Sequence, residues 1–430
     1  MLSIILAAAA VLLSFLFYKK HPSSWRGIVF FLFFNWLIIE IVVYGYLLYI
    51  VHTGDSLFLI GNQKFLDVLI KKDIIDRIFT QKDSHNSFYQ FDLDLGYTVG
   101  KDKTYWVYRS NSQGLRSDRE YSLVPAPTTL RLAVFGDSFV FCDGEPNESS
   151  WPAILEKSFN GLEVMNFGVS GYGLSSIYLR YIKEGLQYSP DVVFFNYITF
   201  CNRDWIEGSL IGGTTLREST LYHPLLTMKD GNVCVRRFTP LDFFNPALRD
   251  KYIYKPFGLK PSEHFWKWPF FSFTNTGLAL KDLYFKNKFP QAFKDQYSDP
   301  QLMAKRLLYN EKIIEDFLDV ARKQHSSVIF FGEQAFNDLP KPIQGILLQH
   351  SSNVVYIDGS KLLKTFFNDL KLQPKDYLNS TNHYNVLGNH IYATALGMIL
   401  KNYSWGRGKR VFKYCAKTNR FQNVSLQPCQ

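Results

Sequence analysis

The sequence has little cysteine, and none of it is spaced for metal or redox work. Its five cysteines, Cys142, Cys201, Cys234, Cys415 and Cys429, form no C-x-x-C pair and no cysteine/histidine cluster at zinc spacing. Neither a structural zinc nor a dithiol centre is therefore indicated. The odd count leaves at least one thiol unpaired in a monomer, and Cys415 with Cys429 is the local candidate for a bridge. Also missing is any stripe of lysine and arginine interleaved with stacking aromatics, which argues against nucleic acid despite a net charge of +10. That charge suits lipid headgroups or an acidic polymer instead. There is no repeat, no low-complexity tract and no G-x-S-x-G string. The Gly168–Gly173 loop runs G-x-x-G-x-G, not the G-x-G-x-x-G of a dinucleotide site.

Charge itself is absent from two stretches near the start. Residues 1–18 carry none and residues 28–51 carry only Glu40, and each stretch is long enough to cross a bilayer. The expectation is a transmembrane hairpin over residues 1–52 that contacts membrane lipid. A cleaved signal peptide is the alternative for the first stretch, although Lys19 and Lys20 follow the apolar run where a signal peptide would carry them before it. Lys19, Lys20 and Arg26 in the short connection place that loop on the cytoplasmic face. The remaining chain would then lie on the non-cytoplasmic side, periplasmic or extracellular, with Lys64, Lys71 and Lys72 pulling the other way. Glu40 is costly in lipid, and pairing within the hairpin or with a partner subunit is the expected remedy.

Residues 53–128 read as a linker and lead-in, with an amphipathic helix over 56–80 serving as stalk or lid, then a Tyr/Ser/Asn/Asp-rich segment over 86–128, irregular with short strands and ending at Pro125 and Pro127. From 129 to 404 the pattern alternates. Strands are expected at 130–135, 162–167, 191–197, 327–331 and 353–357, with helices at 151–160, 174–188, 301–324 and 386–402. This order predicts an α/β, flavodoxin-like, three-layer fold: a parallel sheet with helices on both faces. Residues of about 205–300 break the rhythm with Phe, Trp, Pro and Tyr clusters and read as an aromatic insertion. Residues 405–430 are a tail.

The chemistry-bearing residues fall at strand ends. The first core strand ends in Gly136-Asp137-Ser138, a sharp turn that presents a hydroxyl at the carboxyl edge of the sheet. The second ends in Asn166-Phe167-Gly168-Val169-Ser170-Gly171-Tyr172-Gly173, whose glycines let backbone amides approach a ligand. The third leads to Cys201-Asn202-Arg203-Asp204, and His383-Tyr384-Asn385 precedes the last helix. Gly54-Asp55-Ser56-Leu57 is a competing serine string, but it follows the second apolar span and no asparagine/glycine block succeeds it. His390 reads as an exposed helix residue.

At these positions the chain resembles the SGNH (GDSL-like) hydrolase family, whose four blocks supply Ser, Gly, Asn and His in that order. Here they fall at Ser138, Gly171, Asn202 and His383, with Asn111-Ser112-Gln113-Gly114-Leu115-Arg116 ahead of them and Pro190-Asp191 opening the third strand. The resemblance spans residues of about 90–400. It implies a membrane-anchored serine esterase or O-acyltransferase with Ser138 as nucleophile and His383 as base. Its oxyanion hole would be formed by the Ser138 and Gly171 N–H groups with the Asn202 side chain. The implied substrate is an acyl ester, on a glycan or a lipid, and neither metal nor organic cofactor is required. A non-catalytic scaffold of a cell-envelope assembly is the alternative reading. The family's acid, an Asp two or three residues before the His, is missing: Thr381 and Ser380 stand there. Asp376 is the nearest carboxylate, and a backbone carbonyl could orient the imidazole instead. Cys142 and Cys201 replace glycines usual in the family and are expected to approach each other at the sheet edge.

Overall fold

The computed structural model describes residues 16, 19–20, 24–53, 88–197, 204–207, 223–237, 274–277, 279–280, 283, 298–402 and 405. The chain forms two compact units. One comprises residues 1–75, 208–221 and 239–302, and the other 76–207, 222–238 and 303–430. The aromatic insertion is thus divided between units, and residues 88–128, expected as a lead-in, belong to the second.

In the first unit, helix α1 (Trp25–Thr53) contains Gly27–Tyr49, with a mean hydropathy of 2.2. Among the described residues it is the one helix long and apolar enough to cross a membrane. Trp36, Ile39, Ile41 and Tyr46 on its surface are exposed. The expected first span lies almost wholly outside the described residues, as do the 56–80 helix and the Ser56 string. Among the described residues Glu40 is held by the segment at Asn275. Its carboxylate accepts the Asn275 N–H and, at 3.2 Å, the Thr276 N–H, while Asn275 Nδ2 donates to the Glu40 carbonyl at 2.8 Å. These amides open a helical turn that Thr274 Oγ1 caps at the same end, accepting from Gly277 N at 2.9 Å. A carboxylate at such a terminus meets amides that have no intrahelical acceptor, and that answers its burial.

The second unit begins with two small antiparallel hairpins, β1 (Tyr89–Asp92) with β2 (Gly96–Val99) and β3 (Thr104–Tyr105) with β4 (Tyr108–Arg109). Then come β5 (Leu130–Phe135), α2 (Ser138–Phe141), α3 (Trp151–Ser158), β6 (Leu162–Asn166), α4 (Leu174–Arg180) and β7 (Val192–Tyr197). Strands β8 (Trp205–Ile206), β9 (Leu225–Lys229) and β10 (Asn232–Arg236) make a separate sheet. The chain closes with α5 (Pro300–Lys323), β11 (Ser327–Gly332), α6 (Lys341–Gln349), β12 (Val354–Asp358), α7 (Gly359–Asp369), α8 (Pro374–Tyr377) and α9 (Val386–Asn402).

Five strands form the central sheet in the order β6-β5-β7-β11-β12, every pairing parallel. Numbered as core strands this is 2-1-3-4-5, the flavodoxin-like order. Side chains alternate across it. Leu132, Val134, Phe194, Ile329 and Phe331 face a core closed by α3, α7 and α9 through Trp151, Leu155, Phe366, Tyr392 and Leu396. On the opposite face Phe135 stacks on Phe167 at 4.6 Å, and Phe195 meets Phe317 of α5 at 4.1 Å. Both β5 and β7 are buried along their whole length, which is why they read as unbroken apolar runs. The order reverses between β5 and β7, so the crevice beyond their carboxyl ends is the switch point where ligands bind in such sheets.

Candidate active site

Ser138 stands at that switch point, immediately after β5. Asp137 caps α2: its side chain accepts the Phe139 N–H at 3.0 Å, and its carbonyl accepts from Val140 and Phe141. The Ser138 N–H has no protein acceptor among the described residues, so it remains available to a ligand. Helix α2 stops after one turn because Cys142 adopts a left-handed conformation (φ 64°) and returns its N–H to the Ser138 carbonyl. Glycine would adopt that conformation without strain, and cysteine does so at a cost of about 1 kcal/mol.

The loop after β6 is fitted against α2. Asn166 Oδ1 accepts the Gly168 N–H at 2.8 Å while its Nδ2 donates to the Val140 carbonyl at 3.1 Å. A Cβ on Gly168 would lie 2.4 Å from the Phe141 nitrogen, so only glycine permits this approach. Gly171 has φ 87°, and a Cβ there would meet Tyr97 Oη at 2.6 Å. Tyr97 in turn donates to the Ser170 carbonyl at 2.8 Å, fixing the peptide that precedes the Gly171 N–H. That N–H also lacks a protein acceptor among the described residues. Asn202 and Cys201 lie outside the described residues. Cys142 is a buried free thiol.

The imidazole arrives from the loop between α8 and α9. His383 Nε2 lies 2.8 Å from Ser138 Oγ, the separation of a hydrogen bond. The Phe139 ring packs on the imidazole with centroids 5.0 Å apart. Asp376 is engaged elsewhere: its carboxylate accepts the Gln373 N–H at 2.8 Å in the capping box of α8. Among the described residues no hydrogen bond joins it to the His383 imidazole. His383 Nδ1 instead lies 3.0 Å from Thr381 Oγ1, which lies 2.7 Å from Asn379 Oδ1. His390 is exposed on α9, as expected.

Two further residues surround the pair without having stood out in the sequence. Asp143, just past α2, places Oδ2 3.9 Å from His383 Nε2 and accepts from Ser170 Oγ at 2.6 Å. Asn379 joins the two loops, donating from Nδ2 to the Asp143 carbonyl at 3.0 Å. The turn bearing Asp143 is held from behind by Arg116, whose guanidinium donates to the Cys142 and Glu145 carbonyls and to Asn147 Oδ1. It also lies over the Phe141 ring at 4.4 Å. Burial pulls the Arg116 pKa below the usual guanidinium range, with Cys142, Tyr108 and Asp143 acting in opposition. The Asn111–Arg116 block thus clamps the turn that follows Ser138.

Fold and site together define a class: a doubly wound α/β protein with a serine and a histidine paired at its switch point. No protein-family model matches the chain, and no curated protein matches it. Among solved structures, 66% of the chain is similar to 98% of an acetylxylan esterase from Geobacillus stearothermophilus, at 14% identity and a TM-score of 0.30. A two-domain esterase active on acetylated mannans is similar over 64% of this chain and 49% of its own, at 11% identity and a TM-score of 0.31. At these values the functional reading rests on the geometry above.

Proposed function

We propose that the chain is a serine esterase or O-acyltransferase of the SGNH type, anchored to a membrane through α1. The observation that carries the reading is the 2.8 Å contact between Ser138 Oγ and His383 Nε2 at the sheet's switch point. Ser138 Oγ attacks the acyl carbonyl carbon and passes its proton to His383 Nε2 as the C=O π pair moves onto oxygen. The Ser138 and Gly171 N–H groups receive that oxyanion, with the Asn202 side chain as third donor, each donor typically worth about 10²–10³ in rate. Collapse breaks the ester C–O bond, and the leaving alcohol takes the proton from Nε2. Water, or the hydroxyl of an acceptor sugar, then attacks the acyl-serine, gives its proton to Nε2, and Ser138 is regenerated. No step calls for a cofactor. The substrate is an acyl ester on a glycan or lipid, met on the non-cytoplasmic side if Lys19, Lys20 and Arg26 stay inside.

The full-length protein in detergent should react with a fluorophosphonate probe, phosphorus bonding to Ser138 Oγ as fluoride leaves. Mass spectrometry should find the adduct on the Ser138 peptide, absent in Ser138→Ala and reduced by about 100-fold or more in rate in His383→Ala. An unlabelled Ser138, with a control serine esterase labelled alongside, would leave the scaffold reading in its place.

A further inference from the structure

We infer that a neutral hydroxyl and amide relay, Thr381 with Asn379, replaces the carboxylate that usually orients the histidine of such a pair. The inference rests on the reading of Ser138 and His383 as nucleophile and base.

The hydrogen-bond pattern fixes each proton in turn. Asn379 Oδ1 faces three donors: the Thr381 N–H at 3.0 Å, the His383 N–H at 3.1 Å and the Thr381 hydroxyl at 2.7 Å. Asn379 Nδ2 faces the Asp143 carbonyl at 3.0 Å. Exchanging the amide's two ends would set NH2 against two backbone N–H groups and oxygen against oxygen, so its orientation is determined. Thr381 has one hydroxyl proton, and it is directed to Asn379 Oδ1. At 3.0 Å from His383 Nδ1, Thr381 Oγ1 can then only accept. The Nδ1 atom must carry the ring proton, which leaves Nε2 with a lone pair toward Ser138. This is the tautomer a general base needs, and it is reached without a negative charge on the Nδ1 side.

The same amide ties the turn of Asp143 to the loop of His383, and Asn379 N donates to the His383 carbonyl at 2.8 Å. Thr381 and Asn379 are therefore positioning residues, acting on substrate only through the imidazole. Charge for the imidazolium comes from the other side, where Asp143 Oδ2 lies 3.9 Å from Nε2. Thr381 also occupies one of the positions where the related enzymes carry their acid, two residues before the histidine, so a carboxylate introduced there falls within reach of Nδ1.

The test uses the full-length protein and the rate of fluorophosphonate labelling of Ser138, which needs no knowledge of the natural substrate. Thr381→Ser keeps the hydroxyl and should label within about threefold of the parent. Thr381→Val, matched in shape but with no acceptor, should label at least about 30-fold more slowly with an unchanged melting temperature. Thr381→Asp should recover or exceed the parent rate. With p-nitrophenyl acetate the loss in Thr381→Val should fall on kcat and leave KM unchanged, because the relay touches no substrate. Parent-like labelling by Thr381→Val, or a Thr381→Asp protein as slow as Thr381→Val, would overturn the inference. A parent protein that fails to label at Ser138 would overturn the underlying function instead, so the two failures are separable.

Discussion

At the scale of single residues, the site is a set of conflicts between local preference and placement. Cys142 is the plainest case. Its left-handed backbone suits glycine, yet the side chain is enclosed and burial pushes the thiol up to about 12. At pH 8 the thiolate fraction is then on the order of 10⁻⁴. Iodoacetamide at that pH should leave Cys142 unmodified in the folded protein and alkylate it in guanidinium chloride, read by peptide mass spectrometry. Rapid native alkylation would show that α2 opens. The serine, the glycine loop and the histidine were legible in the sequence because each borders a periodic element and keeps a fixed block order. The relay was not legible: Thr381 and Asn379 were visible only as the place where an acid was missing. Their role depends on hydrogen-bond directions that the loop's backbone sets. Asp143 was hidden for a related reason, since its relevance comes from a left-handed turn that cysteine does not announce.

At the scale of elements, buried strands declared their bounds, whereas the short strands of the 86–128 segment declared only their presence. Each of β5, β6, β7, β11 and β12 falls within a residue of its expected bounds, because an apolar run bounded by turn residues has few other homes in an α/β chain. Strands β1 to β4 lie in a polar, tyrosine-rich segment without alternation, and their pairing comes from turns and from packing such as Phe88 on Phe141. Helix α4 illustrates support from outside an element. The Asp204 carboxylate accepts the Ser175 N–H at 2.9 Å and the Ser175 hydroxyl, satisfying the first turn from a distant loop. Burial nevertheless lifts the Asp204 pKa above the ordinary carboxylate range, outweighing the Ser175 bonds and the Arg306 charge. A pKa raised by folding means that the folded state holds the proton more tightly. The associated stability is complete below about pH 4 and is lost as the pH rises through the folded value. Asp204→Asn keeps the accepting oxygen and removes the titration. Its melting temperature relative to the parent should therefore rise between pH 4 and pH 8, and a constant difference across that range would refute the assignment.

At the scale of the whole molecule, the chain divides by chemistry as well as by contact. The first unit collects an apolar helix and part of the aromatic insertion, joined through Glu40 and the amides of Asn275 and Thr276. That junction could not be read from the sequence, where Glu40 and Asn275 are 235 residues apart and no pattern links them. Replacing Glu40 with leucine would strand both amides among apolar groups, at about 1–3 kcal/mol each. In reconstituted vesicles, Glu40→Leu should expose the turn at Asn275–Gly277 to protease at least several-fold faster than the parent, with Glu40→Gln intermediate. Equal cleavage of all three would show that the capping adds nothing. In the second unit Ser138 follows β5, and the His383 that meets it precedes α9, 245 residues later. A ribosome therefore releases the serine long before the imidazole that would activate it. Until then the nascent chain holds a serine with no imidazole beside it. On the proposed reading, the pair is complete only once the loop before α9 has reached the end of β5, so closure of the fold and assembly of the site are one event.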